Sequence, residues 1–150
     1  MRNQIPVKVN TVATRFEAEI LIRLTTLQAA FQKRLSAALS IHGISLTEYL
    51  VLRQLSRAPG KTLRRIDLAQ AVGLTPSGVT RLLNPMEKIG LVSKEAGARD
   101  ARVSLVGIAP PGETIFGESN VTFAETAKEL LAPLDAEGRK ALSRIADALD

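Results

Sequence analysis

The stretch TPSGVTRLLNPMEKIGLVSKEAGARDAR, residues 75–102, decides the fold of this chain. Thr75 is a favoured helix N-cap residue, and Pro76 suits the first helical position because an amide there would have no helical partner. Apolar residues then recur at the spacing of one buried helix face: Val79, Leu82, Leu83 and Met86. Gly90 supplies a helix stop. The stretch therefore begins with a short amphipathic helix that is closed by a glycine.

The two segments that follow this helix have the composition of a β-hairpin. Residues 91–95 and 103–106 are β-prone, and AGARDAR between them, residues 96–102, is small and charged. Upstream, residues 65–72 form another short helical pattern, and Gly73 makes a tight turn between the two helices. The order of helix, turn, helix and basic hairpin predicts a winged helix–turn–helix.

Local signals place the helices that precede this motif. Ser45 with Glu48 three residues later has the spacing of a capping box, so a helix is expected over residues 45–57. In the helix over residues 65–72, the expected buried side consists of Ile66, Leu68, Ala69 and Val72.

Long helical patterns flank the winged region on both sides. Between residues 13 and 40, apolar side chains recur every three or four positions without a proline or glycine: Phe16, Ile20, Leu24, Leu27, Phe31, Leu35 and Leu39. Residues 109–131 and a last helix that Asp135 can cap follow the hairpin. A partner chain would explain how so long an apolar face is covered, and the core helix of a monomeric bundle is the alternative.

Composition narrows the class of protein. The chain has 150 residues, of which 45% are hydrophobic, enough for one compact core. It has no cysteine and one histidine, which excludes disulfides, thiol nucleophiles and a multi-histidine metal site within one chain. No run of about 18 apolar residues is present, and the N-terminus lacks the apolar segment of a signal peptide. A cytoplasmic protein without membrane spans is expected.

Positive charge is concentrated in the first two-thirds of the chain. The formal net charge is +5. Residues 1–45 hold six Lys/Arg and two Asp/Glu, residues 46–109 hold ten and five, and residues 110–150 hold four and eight. The basic excess covers the predicted winged helix–turn–helix, which indicates a surface that binds a polyanion. A solubilising charge pattern is the alternative interpretation.

The polar side of the helix that begins at Thr75 carries groups that can approach nucleic acid closely. These are small residues, hydroxyls, an amide and one guanidinium: Ser77, Gly78, Thr80, Arg81 and Asn84. Such groups hydrogen-bond to base edges and phosphates. Cations on the neighbouring helix and on the hairpin are further candidates for DNA contact: Arg65, Arg99 and Arg102. Double-stranded DNA is therefore the expected partner. An unpartnered surface arginine is the alternative interpretation of Arg81.

Four stretches of the chain carry motifs that belong together. They read LTEYLVLRQL, IDLAQAVGLTPSGVTRLL, MEKIGLV and RDARVSLV, the last being followed closely by PPG. Through these motifs the chain resembles, over most of its length, the MarR family of bacterial transcriptional regulators. The order of long helix, winged helix–turn–helix and two closing helices matches as well. Each motif alone is weak, whereas the combination is fairly specific.

The resemblance implies a mostly α (α+β) homodimer with long N- and C-terminal dimerisation helices. Residues 1–45 and 110–150 would form the helical dimerisation region. Residues 46–109 would form the winged helix–turn–helix DNA-binding region, with the recognition helix in the major groove and the wing in the minor groove. Two-fold symmetry would match a pseudo-palindromic operator.

The resemblance also assigns roles to single residues. By position, Ser77, Thr80 and Arg81 would face the major groove. Arg102 fits the wing arginine, and Asp100 fits the acidic residue that holds this arginine in place.

Three residues depart from the family pattern. Pro85 stands where members often have a polar or basic residue, and it removes the amide that would bond the Arg81 carbonyl, so a kink near the helix end is expected. Ala101 replaces an arginine that is common in the wing, and Ala109 replaces a hydroxyl residue that usually caps the next helix. These departures predict a lower DNA affinity, or a wing in which Arg99 makes the contact with DNA instead.

The expected function is that of a dimeric, sequence-specific transcriptional regulator, most simply a repressor. A small aromatic or lipophilic effector would relieve DNA binding by changing the separation of the two recognition helices. A winged-helix protein-interaction module that no longer binds DNA is the alternative. An enzyme is not expected, because the sequence has no carboxylate pair for acid–base catalysis, no phosphate-binding glycine loop and no metal or cofactor motif.

Two further residues have alternative interpretations. His42 is expected at a helix end, where its cation would suit the helix dipole, and ligand binding or pH sensing is the alternative. Tyr49 is expected in half-buried packing, and the wall of a ligand pocket is the alternative.

Overall fold

The computed structural model describes residues 11–96 and 104–149, which form six α-helices and three strands. In chain order these are α1 (Thr11–Leu39), α2 (Leu46–Arg57), β1 (Thr62–Arg64), α3 (Arg65–Ala71), α4 (Pro76–Lys88), β2 (Val92–Ala96), β3 (Ser104–Ile108), α5 (Pro110–Leu130) and α6 (Ala136–Leu149). The predicted mostly α (α+β) class is confirmed, with a winged helix–turn–helix between long helices.

Short-range signals set the ends of the helices. The Glu48 amide donates to Ser45 Oγ at 3.2 Å, and the Ser45 amide donates to Glu48 Oε2 at 2.6 Å, so the predicted capping box is confirmed. Asp135 caps α6 by accepting a bond of 2.7 Å from the amide three residues later. Gly73 and Gly90 follow α3 and α4 with φ of 68° and 77°, the left-handed conformation that ends a helix at low cost for glycine.

The three strands form one antiparallel sheet in the order β1–β3–β2. At its centre Val106 lies opposite Leu63 on one side and Lys94 on the other. Strands β2 and β3 are the predicted hairpin, and their last described pair is Ala96 opposite Ser104. Residues 97–103, which connect these strands, lie outside the described residues.

One hydrophobic core holds the sheet against α2, α3 and α4. Its members are Leu39, Ile44, Tyr49, Val51, Leu52, Leu55, Leu68, Ala69, Val79, Leu83, Met86, Leu91, Val92, Val106 and Ile108. Helix α5 begins against this core, because the Ala109 amide donates to the Leu91 carbonyl oxygen at 3.0 Å. A Cβ at Gly112 would lie 2.1 Å from the same oxygen, so this close approach requires glycine.

The chain divides into two units, residues 1–34 and residues 35–150. The first contains the N-terminal part of α1, which exposes large apolar side chains: Phe16, Ile20, Leu21, Ile22, Leu24 and Leu27. In the second, α6 has no buried residue, and Ile145 and Leu149 are exposed. No single helix in the described ranges is both long and apolar enough to cross a membrane. Both units therefore present apolar side chains to solvent.

The predicted buried side of α3 is wrong at one residue. Ile66 is 62% exposed, while Leu68 and Ala69 are buried. Residues two positions apart in an α-helix lie about 160° apart around its axis. Since Leu68 points into the core, Ile66 is turned towards solvent.

Candidate nucleic-acid interface

Helix α4 is fixed to the core by one face and presents the opposite face to solvent. Val79, Leu83 and Met86 are buried, as predicted, and Leu82 is half-buried. The exposed face carries four of the five residues predicted from this helix to contact DNA: Ser77, Thr80, Arg81 and Asn84. Their relative positions are therefore set by the packing of the helix against the core.

The first turn of α4 is organised by Thr75. Its Oγ1 accepts a bond of 3.0 Å from the Gly78 amide and lies 3.3 Å from Ser77 Oγ. Gly78 is half-buried, and a Cβ there would lie 3.1 Å from Thr75 Oγ1. Thr80 Oγ1 donates to the Pro76 carbonyl at 3.1 Å, and its oxygen remains able to accept. The hydroxyls of Thr75 and Thr80 are thus bonded to the helix backbone, and the hydroxyl of Ser77 lies against that of Thr75.

On the exposed face of α4, Arg81 and Asn84 carry unused hydrogen-bonding groups. Neither side chain makes a hydrogen bond or an ion pair within the described part of the chain. A guanidinium offers several donors in one plane, and a carboxamide offers both a donor and an acceptor. These are the groups that pair with the major-groove edges of guanine and adenine.

Pro85 lies inside α4 but does not end it. The helix is continuous from Pro76 to Lys88. The expected loss of an amide opposite the Arg81 carbonyl remains, since proline has no N–H. Arg81 therefore lies in the middle of α4, which continues for about two turns after it.

Arg65 differs from the other predicted contact residues because its guanidinium is already bonded inside the protein. Its Nη2 lies 2.5 Å from Glu87 Oε1 on α4, and its Nε donates to Ser104 Oγ on β3 at 3.1 Å. The side chains of Arg65 and Glu87 are 19% and 25% exposed, respectively. Arg65 thus joins the start of α3 to the end of α4 and to the first residue of β3.

A second ion pair lies one residue away, where β1 meets α3. Arg64 donates from Nε and Nη2 to the two carboxylate oxygens of Asp67, at 2.6 Å and 2.9 Å. The hydrogen bond from Arg64 lowers the pKa of Asp67 below its ordinary value, and the bond to Asp67 raises the pKa of Arg64. Both side chains are exposed, so this pair adds little stability.

The predicted wing residues cannot be placed in the same way. Arg99, Asp100 and Arg102 lie in the segment 97–103, outside the described residues. On the neighbouring strand β2, Lys94 is an exposed cation that the sequence analysis did not single out. The described part of the interface therefore consists of α3, α4 and the two strands that lead into and out of the wing, β2 and β3.

Helices α2 and α5 are joined through the ring of Tyr49, which is 1% exposed. The ring stacks on Phe123 with centroids 4.6 Å apart and lies 5.7 Å from the centroid of Phe116. The Tyr49 hydroxyl donates to Asn120 Oδ1 at 2.9 Å. Burial raises the pKa of Tyr49 above its ordinary value. The expectation of half-buried packing is thus wrong in degree, because three side chains of α5 cover the ring.

His42 makes a second polar contact to α5. It ends the short helical turn Ser40–His42, as expected for a residue at a helix end. Its Nε2 lies 2.7 Å from Thr122 Oγ1. The residue therefore ties this turn to α5, a contact between positions 80 residues apart that local spacing could not reveal.

Comparisons with known proteins agree with this geometry. The model of the MarR family matches residues 42–103. The HTH-type transcriptional repressor Rv2887 of Mycobacterium tuberculosis is 27% identical over 121 residues, which cover 81% of this chain and 86% of the repressor. The crystal structure of Rv2887 in complex with salicylic acid has a TM-score of 0.67 at 27% identity, covering 85% of this chain and 93% of that chain.

A second protein shares the fold at lower identity. Sco3205, a MarR family transcriptional regulator from Streptomyces coelicolor solved in complex with DNA, has a TM-score of 0.82. The identity is 20%, and the match covers 89% of this chain and 88% of that chain, which shows the fold alone. The residues matched by the family model contain α3, α4 and β2 of the interface described above, together with α2 and β1. In the sequence of residues 42–103 and in its fold, this chain is therefore similar to the MarR family of transcriptional regulators.

Proposed function

We propose that this regulator binds double-stranded DNA sequence-specifically, with α4 in the major groove. The observation that carries this proposal is the exposed face of α4, where Arg81 and Asn84 lack partners within the described residues while Val79 and Leu83 fix the other face in the core. A helix held in this way can place polar groups against base edges without first breaking internal bonds. Ser77, Thr80 and the backbone at Gly78 complete the contact surface.

The wing extends this surface to the minor groove. Arg99 and Arg102 are its proposed contacts, and Asp100 is the proposed support of the wing arginine. A narrow minor groove concentrates negative potential, so an arginine there senses groove width and charge more than base identity. The wing would then add affinity, while α4 would add sequence preference.

The exposed apolar side chains of the long helices support a homodimer. Phe16 is 69% exposed and Leu149 is 72% exposed, and such surface on a regulator is typical of a protein interface. Residues 1–45 and 110–150 would form the dimerisation region, and residues 46–109 the DNA-binding region. Two-fold symmetry then requires a pseudo-palindromic operator with half-sites about 10 bp apart. Sedimentation of a stable monomer at micromolar concentration would contradict this assembly.

The relatives suggest how DNA binding is controlled. Rv2887 is named a repressor and has been crystallised with salicylic acid. We therefore assign this chain the role of a cytoplasmic repressor, without catalytic activity, that a small aromatic or lipophilic effector releases from DNA. Because the chain has no cysteine, this release does not use thiol oxidation.

Fluorescence anisotropy with two duplexes of equal length tests the function. One duplex carries the DNA upstream of the protein's own coding region, and the other carries a random sequence. We expect preferential binding to the upstream duplex, loss of this preference in Arg81→Ala, and release of the parent protein by salicylate. Equal, weak binding to both duplexes that Arg81→Ala leaves unchanged would favour a protein-interaction module instead.

A further inference from the structure

We propose that Arg65 is a positioning residue that fixes the base of the wing to the recognition helix, and that it is not a phosphate contact; this presupposes the DNA-binding function proposed above. Arg65 follows β1 directly and begins α3. Its guanidinium bonds to Glu87 in the last part of α4 and to Ser104, the first residue of β3. One side chain therefore connects the elements that carry the two kinds of DNA contact.

Ser104 stands at the point where the wing leaves the sheet. It pairs with Ala96 of β2, and the next residue of its strand, Leu105, pairs with Arg64 of β1. The segment 97–103 joins Ala96 to Ser104 and contains both predicted wing arginines. The bond from Arg65 Nε to Ser104 Oγ thus holds one of the two attachment points of this segment.

Glu87 stands at the other end of the connection. It lies in α4, six residues after Arg81, and its side chain is half-buried. A carboxylate this close to a DNA-binding surface repels phosphates unless a cation compensates it. The bond to Arg65 supplies that compensation, and each charge of a largely buried pair depends on the other to offset the loss of water.

Arginine is required at this position by the geometry. The two nitrogens that bond Glu87 and Ser104 belong to one rigid plane, whereas a lysine donates from a single atom on a flexible stem and does not hold both partners in this geometry. Arg64 offers the contrast, because both of its bonding nitrogens engage Asp67 three residues away. Within the described residues, the side chain of Arg64 therefore bonds only to its own turn, and Arg64 is the matched control for Arg65.

The variant Glu87→Ala separates the two roles by the sign of its effect. If Arg65 were a phosphate contact, this change would strengthen DNA binding, because it removes an acidic group and releases the guanidinium. If Arg65 positions the wing, operator binding should weaken, by about tenfold for residues coupled in one network. Glu87→Gln keeps the accepting oxygen and should recover most of the loss.

Variants of Arg65 itself supply a second discrimination. Arg65→Lys keeps the charge, so it should rescue a phosphate contact but should bind as weakly as Arg65→Ala if two bonds are needed. The double variant Arg65→Ala/Glu87→Ala should lose little more than either single variant. A lost phosphate contact in each subunit would reduce the slope of log affinity against log salt by about two, whereas a positioning residue leaves this slope near that of the parent.

A measurement without DNA keeps the proposal independent of the operator. We expect the amides of β3 to exchange their hydrogens faster in Arg65→Ala and Glu87→Ala than in the parent, and to be unchanged in Arg64→Gln. Ser104→Ala removes only the bond at the wing base, so it provides a milder variant if the others fail to fold. Unchanged exchange in Ser104→Ala and Arg65→Ala would overturn the proposed connection.

The DNA-binding results separate failure of this proposal from failure of the function. Operator preference in the parent that is lost in Arg81→Ala would support the function. Stronger or unchanged binding by Glu87→Ala, or full rescue by Arg65→Lys, would then overturn the role of Arg65 alone. A parent protein without any operator preference would instead overturn the proposed function, and this role of Arg65 with it.

Discussion

Arg81 and Arg65 are both arginines of the helix–turn–helix, and the sequence predicts DNA contact for both, but the structure places them in different environments. Arg81 is exposed on α4, without a hydrogen-bond or ion-pair partner in the described part of the chain. Arg65 is mostly buried and bonds to Glu87 and Ser104. Charge at a motif position therefore does not identify a DNA contact by itself. The deciding property is whether the protein already compensates that charge.

The largest effect that follows from this contrast is expected for Arg81→Ala on operator DNA. Each lost base contact costs about 1–3 kcal/mol, and a dimer loses one contact in each half-site. Random DNA should lose less affinity, because only the charge is missing there. Dissociation constants on both duplexes measure the difference, with Arg81→Lys as the variant that retains the charge. Equal losses on both duplexes would reduce Arg81 to a phosphate contact.

Protein stability should show the opposite ranking of the two arginines. Arg65→Ala is expected to lower the free energy of unfolding by about 1–2 kcal/mol, because Glu87 is left mostly buried without its cation, and partial exposure reduces the cost below that of a fully buried pair. Arg81→Ala should stay within about 0.5 kcal/mol of the parent, as is usual for a surface substitution. Urea unfolding measures both, and similar losses in the two variants would contradict the contrast.

Arg102 in the wing is the third arginine to compare, and its contact with the minor groove is predicted from the sequence. Arg102→Ala should weaken binding to operator and random DNA by similar factors, because a minor-groove arginine senses mainly charge and groove width. The slope of log affinity against log salt should fall by about two for the dimer. Titrations at several salt concentrations provide this slope. If Arg102→Ala binds both DNAs as tightly as the parent, Arg102 does not contact DNA. The minor-groove contact would then be made by Arg99 or by no wing residue.

The smallest effect is expected at the Arg64–Asp67 pair. Since Arg64 lowers the pKa of Asp67, the pair stabilises the folded protein only while Asp67 is ionised. This contribution is fully present at neutral pH and is lost as the pH falls below 3.8, through the lowered pKa of the folded state. Arg64→Gln should change operator binding little at pH 7. Any difference in stability from the parent should shrink in acid, and a difference that grows there would contradict this origin.

Local signals were sufficient to predict most of the fold. The capping box of Ser45 and Glu48 and the N-cap at Thr75 involve residues at most three positions apart, and the structure contains both. Gly90 ends α4 by its own left-handed conformation. Such features depend on the backbone of a single turn, so the sequence carries all the information that they need.

Contacts between distant residues were beyond the reach of sequence patterns. The partners of Arg65 lie 22 and 39 residues away, and nothing in the spacing connects Glu87 or Ser104 to it. The ring of Tyr49 was expected to be half-buried, but side chains of α5 cover it. Sequence spacing does not show this burial, because it arises only when α2 and α5 pack together. The exposed face of α4 could therefore be predicted from sequence, but the sequence does not show that Arg65 has an internal ion-pair partner and that Arg81 has none within the described residues.

A cycle between Arg81 and single base pairs of the operator tests the central claim most directly. The affinities of the parent and of Arg81→Ala are measured on the operator and on duplexes in which one base pair is replaced at each position in turn. If α4 reads the major groove, the parent loses affinity at symmetric positions of the two half-sites, and Arg81→Ala becomes insensitive to replacement at one of them. If Arg81→Ala instead lowers affinity for every duplex by the same factor, Arg81 does not read sequence and the account of this interface is wrong.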